Sequence, residues 1–119
     1  MKSPGNLLVL LALLPFTACH SNRIEATVTN HTGAPINLLE VDYPSASFGS
    51  DTLAPNADFH YGFQVRENGP LKVQYTESTT RVVRQASGPT LYEKQQGHVE
   101  IDLLPRGTVE FHTELSPRP

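Results

Sequence analysis

Apolar residues recur at every second position in a series of short runs, with turn-forming residues between them. Ile24, Ala26 and Val28 make the apolar side of a first predicted strand, which Asn30-His31-Thr32-Gly33-Ala34-Pro35 ends. Leu39, Val41 and Tyr43 do the same for a second strand. Residues 44–56, rich in small polar and turn-forming types, read as a long connection that Phe48 and Leu53 pin to the core. Phe59, Tyr61, Phe63 and Val65 give the clearest alternation in the chain, and Leu71, Val73 and Tyr75 follow after the turn 66–70. Matching the apolar sides of these two runs pairs Val65 with Leu71, Phe63 with Val73 and Tyr61 with Tyr75, a predicted hairpin and the expected core nucleus. A weaker strand covers Thr80 to Gln85, where adjacent Val82 and Val83 leave the buried side unassigned, as at a bulge or an edge. Gly88-Pro89 and Gln95-Gln96-Gly97 bracket a predicted loop containing Leu91 and Tyr92. Val99, Ile101 and Leu103 form the next strand, which turns through Pro105-Arg106-Gly107 into Val109, Phe111 and Leu115.

No stretch reads as a long amphipathic helix, so the expected fold is all-β. Strands of this length joined by turns resemble an antiparallel immunoglobulin-like sandwich of about seven strands better than a closed barrel. The resemblance is architectural, because the chain has no Trp and a single Cys, and hence no Cys–Trp–Cys pattern. The sandwich is expected over residues 23–115, with 116–119 a disordered tail.

A different pattern opens the chain. Lys2 precedes the apolar run Leu7–Phe16, and Thr17-Ala18-Cys19 follows it, placing the one cysteine directly behind a segment too short to span a bilayer. This resembles the lipobox signal of bacterial lipoproteins, although Phe16 stands where Leu, Val or Ile is usual. The resemblance implies that residues 1–18 are a cleaved signal peptide, that Cys19 carries lipid, and that 19–22 form a short tether. It also implies a place in the bacterial envelope. His20 is not the aspartate associated with inner-membrane retention in enteric bacteria, so the outer membrane, facing the periplasm, is the expected location. If the first strand opens near Arg23, three residues reach about 10 Å and the domain sits against the bilayer.

Composition narrows the function classes. The chain has 119 residues and a net charge of −3, and removing Lys2 with the signal makes the remainder more acidic. About 100 residues support one domain with a modest core. With no run of Lys or Arg there is no footprint for nucleic acid, so membrane contact is expected from Cys19 alone. Once lipidated, the lone cysteine leaves no disulfide, no thiol nucleophile and no thiolate metal ligand. G-x-S-x-G is absent, and Ser47, Ser50, Asp51 and His60 make a triad only from unmarked positions, so catalysis is not expected. Asn30-His31-Thr32 has the form of a glycosylation sequon, but in a bacterial envelope it reads as a turn.

The most pointed chemistry lies in the last predicted hairpin. Placing Val99, Ile101 and Leu103 on one face with Val109 and Phe111 fixes its register and puts His98 opposite Glu114, Glu100 opposite His112 and Asp102 opposite Glu110. Outward sheet positions are ordinarily solvated polar residues such as these. Imidazole facing carboxylate also suits Zn, Cu or Ni, which makes His98, Glu100, His112 and Glu114 the candidate metal set. No cofactor is otherwise expected beyond the lipid. Tyr43, Phe48 and Tyr92 are either interface anchors or aromatics closing one end of the sandwich. The expected role is a protein-binding or structural module with an envelope protein as partner, for which an edge at Thr80–Gln85 is the candidate docking strand; the alternative is a metal- or small-ligand-binding lipoprotein.

Overall fold

A computed structural model describes residues 22–118. The apolar segment Leu7–Phe16, Cys19 and His20 lie outside the described residues. Each alternating run becomes a strand, giving β1 (Ile24–Asn30), β2 (Ile36–Tyr43), β3 (Ala46–Leu53), β4 (Asp58–Phe63), β5 (Gly69–Glu77), β6 (Val83–Leu91), β7 (Gln96–Leu103) and β8 (Val109–Ser116). They form two four-stranded sheets, β4-β1-β7-β8 and β3-β2-β5-β6. The inward positions are those the alternation assigns to the core: Ile24, Val28, Val41, Leu71, Tyr75, Val99, Ile101 and Leu103 are buried between the sheets.

The all-β sandwich expected from the sequence is therefore the observed fold, and its details are sharper. There are eight strands rather than about seven, and β1 runs parallel to β7. The first two strands lie in different sheets, whereas the immunoglobulin arrangement keeps them in one.

The additional strand is β3, inside the stretch expected to be a connection. Phe48 and Leu53 are buried as expected, opposite Val41 and Ile36. Pinning both ends of a short segment holds the backbone between them in register, so its Ser and Gly residues join the ladder despite weak strand preference. Pro44 and Ser45 form the two-residue turn, with Tyr43 paired to Ala46. The partner strand β2 bulges at Leu38, whose φ of +53° turns its side chain into solvent while Leu39 stays buried.

The predicted hairpin of Phe59–Val65 with Leu71–Tyr75 does not form. β4 pairs with β1, Phe63 opposite Ile24, and β5 pairs with β2 and β6. Both runs turn apolar residues inward, but from opposite sheets, with Tyr61 left 40% exposed against Phe48 at the edge, and residues 64–68 carry the chain across the sandwich. Alternation specifies which face of a strand is buried and leaves its neighbour open.

The weak strand also moves. Thr80 and Arg81 belong to the turn after β5, and β6 begins at Val83 and continues through Gly88-Pro89, which were expected to open a loop. β6 is an edge strand, where proline needs no ladder partner, and it holds one residue more than β5 between the pairs Lys72–Ser87 and Pro70–Thr90. At the other terminus, Ser116, assigned to the tail from sequence, is the last residue of β8 and pairs with Gln96. The Pro117 carbonyl accepts a hydrogen bond from Gln95 Nε2 at 3.1 Å.

The sequon is a structural turn. Asn30 is fully buried, its Nδ2 donating to the carbonyls of Ala34 (2.8 Å) and Leu53 (3.0 Å). Its Oδ1 accepts from Thr32 N (3.0 Å) and Thr32 Oγ1 (2.7 Å).

Candidate functional site: the outer face of the β4-β1-β7-β8 sheet

Strand alternation and the pairing of these four strands arrange their outward residues in rows. One row runs Gly62, Glu25, His98, Glu114; the next His60, Thr27, Glu100, His112; the third Asp58, Thr29, Asp102, Glu110. The register expected for the last hairpin is the observed one in all three of its cross-strand pairs. Gly107 supplies the left-handed residue of the turn at φ +78°, and Arg106 adopts the same region at +65°. Leu104 N donates to Thr108 O at 2.8 Å, closing the loop of Pro105, Arg106 and Gly107.

Six carboxylates and three histidines thus share one surface, and none of the four strands contains a lysine or an arginine. Arg23, just before β1, reaches over Gly62 and donates to Glu25 Oε2 at 2.9 Å. Thr29 Oγ1 donates to Asp58 Oδ1 at 2.9 Å, and Thr27 Oγ1 lies 3.1 Å from His60 Nδ1.

Ligand atoms converge where His112 of the second row reaches over the Asp102–Glu110 pair of the third. His112 Nε2 stands 3.5 Å from Asp102 Oδ2 and 3.6 Å from Glu110 Oε1, and ligand atoms of the three residues lie within 4.8 Å of one another. His31, in the turn after β1, brings its Nε2 to 3.9 Å from Asp102 Oδ1. Its backbone N–H donates to Leu103 O at 2.8 Å, which fixes the turn beside the end of β7.

Of the four residues proposed from sequence, only His112 belongs to this group. His98, Glu100 and Glu114 occupy the expected face, but no ion pair among the described residues includes them. Successive rows are about 7 Å apart along a strand, so His98 and Asp102, four residues apart, stand about 13 Å from each other. Asp102 and Glu110 were visible as a cross-strand pair of acids. His31 was missed because a turn residue carries no periodicity, and the parallel β1–β7 pairing is what delivers it.

Other sequence candidates separate. Ser47, Ser50 and Asp51 lie on β3 and His60 on β4, in opposite sheets, and Ser50 Oγ donates to the Thr52 carbonyl at 3.0 Å. Tyr43 and Phe48 close the side of the sandwich where edges β3 and β4 meet: Phe48 stacks on Tyr61 at 4.4 Å between centroids and Tyr43 on Phe63 at 4.2 Å. Tyr92 is half-buried, its N–H donating to Gln95 Oε1 at 2.9 Å. Edge β6 starts with exposed Val83 beside exposed Val82.

No family model matches the chain, and no curated protein matches it. Among solved structures it is similar to the NMR structure of a protein from Eubacterium rectale, with a TM-score of 0.56 and 13% sequence identity. The match covers 82% of this chain and 93% of the other. At that identity the likeness shows a shared fold.

Proposed function

We propose that the chain is a bacterial envelope lipoprotein whose sandwich domain acts by binding another envelope protein rather than by catalysis. The observation that carries this reading is the position of Cys19. It follows the apolar run and Thr17-Ala18 without a gap, and only His20, Ser21, Asn22 and Arg23 separate it from β1 at Ile24. Four residues reach about 14 Å at full extension. A lipid on Cys19 therefore holds the domain at the membrane surface, where confinement raises its effective concentration for membrane-proximal partners.

β1 runs away from the anchor, and its seven residues span about 20 Å. The row of Asp102 and Glu110, beside Thr29, then lies at the end of the strand opposite the tether. The acidic outer sheet face favours a partner carrying Lys or Arg, since complementary charge speeds encounter and excludes like-charged surfaces. The outer membrane, facing the periplasm, is the proposed location.

Fractionation of cells expressing the wild-type chain and Cys19→Ala, with fatty-acid labelling, tests the reading. The wild type is expected in the membrane fraction with label, and Cys19→Ala in the soluble fraction without it. Identical fractionation of the two forms would refute the anchor. Crosslinking in the same cells then asks whether one protein is recovered in near-stoichiometric amount with the lipidated form alone.

A further inference from the structure

We propose that Asp102, Glu110 and His112 form a binding site for a divalent transition metal of the zinc, copper or nickel class, with His31 beside the second oxygen of Asp102. Three elements contribute: the turn after β1 supplies His31, β7 supplies Asp102, and β8 supplies Glu110 and His112.

Spacing is the first argument. Tetrahedral zinc holds nitrogen and oxygen ligands at about 2.0–2.2 Å, which places ligand atoms about 3.3–3.5 Å from one another. The observed 3.5 and 3.6 Å separations from His112 Nε2 to the two carboxylates already lie near that edge length. The edge between the two carboxylates lies within 4.8 Å, so binding draws them together, and with three protein ligands a fourth position stays open to His31 or to solvent.

Donor type is the second. One imidazole and two carboxylates, with a second imidazole adjacent, suit a borderline ion; calcium takes six to eight oxygens and magnesium several waters.

Charge supplies the third. No lysine or arginine pairs with Asp102 or Glu110 among the described residues, and the four strands of the sheet contain none. The neighbouring Asp58 is engaged by Thr29, whereas Asp102 and Glu110 face each other across the β7–β8 ladder. Like charges directly opposite destabilise a sheet, and a cation between them reverses the sign of that interaction.

Titration of the full-length protein in detergent with Co(II), followed by zinc competition, tests the site through the visible absorption of the bound cobalt. Saturable binding tighter than about 10 μM is expected. Asp102→Asn and His112→Gln should each weaken it by about tenfold or more, while His98→Gln on the same face should leave it unchanged. Thermal melts of the metal-free variants report whether the fold survives, and His112, being exposed, keeps the test valid should Asp102→Asn perturb the strand. Absence of saturable binding, survival of binding in both variants, or an equal loss in His98→Gln overturns the proposal. Membrane fractionation is independent of all three outcomes, so failure here leaves the lipoprotein reading standing.

Discussion

The ring of Phe111 fills the space that a side chain on Gly88 would need. A β carbon at position 88 would lie 2.6 Å from Cε2 and 2.7 Å from Cδ2 of that ring. The contact joins β6 to β8, the edge strands on the side of the sandwich opposite the Tyr43–Phe48–Tyr61 cluster. Gly88→Ala is expected to destabilise the domain by about 1–3 kcal/mol through overpacking. Urea unfolding of Gly88→Ala, Phe111→Leu and the double variant checks this. A double variant more stable than Gly88→Ala alone identifies the ring as the obstacle, and strict additivity rejects it.

Asn30→Ala is expected to cost about 2–4 kcal/mol. The side chain is fully buried and serves four polar partners, and its removal leaves the Leu53 carbonyl and the Thr32 N–H without them. A melting temperature equal to wild type would show that the turn does not depend on the amide.

Tyr75 makes the opposite prediction. Its ring is fully buried and its hydroxyl has no hydrogen-bond partner. Burial, followed by the negative charge of Glu77, raises the pKa of the phenol, with Arg84 opposing. Tyr75→Phe removes an unsatisfied polar group and should leave stability unchanged or raise it by up to about 2 kcal/mol. A raised pKa means that the folded state resists ionisation, so wild-type stability falls as pH rises through the tyrosine range. The variant should lose that contribution, measured by denaturation at alkaline pH.

Glu77 contributes on the acid side. A hydrogen bond from Thr80 Oγ1 at 2.6 Å, then one from Arg84 Nε at 2.8 Å, lower its pKa against the effect of burial. A lowered carboxyl pKa contributes stability that is complete above the ordinary glutamate range and is lost as pH falls through the folded value. Glu40 has the reverse sign, because Asp42 beside it raises its pKa and acid relieves the conflict. Glu77→Gln should therefore flatten the acid limb of the stability profile, and Glu40→Gln should steepen it. Identical acid limbs in the two variants would refute the assignment.

The candidate site was partly legible in the sequence. The β7–β8 register could be read to the residue because both strands alternate cleanly and a short turn with a left-handed glycine joins them. Within that hairpin the sequence favoured His98, Glu100, His112 and Glu114 because they pair imidazole with carboxylate. Ligand distance selects a different subset, since His112 reaches from its own row to Asp102 and Glu110 in the next, whereas His98 stands two rows away from Asp102. His31 could not be linked to Asp102 without knowing that β1 lies parallel to β7.

Gly88-Pro89 carries the same lesson for the fold. The pair reads locally as a loop, yet it belongs to an edge strand, where proline needs no donor and glycine makes room for Phe111. By itself the chain determined what neighbouring residues can encode: period-two alternation that names the buried face of each strand, turns closed by left-handed residues, and an apolar run followed by Thr17-Ala18-Cys19. Tertiary structure alone decided which strands became neighbours, which sheet each joined and which polar side chains met at Asp102. Those choices depend on closing one core from both sides at once, and residues far apart in the chain contribute to it together.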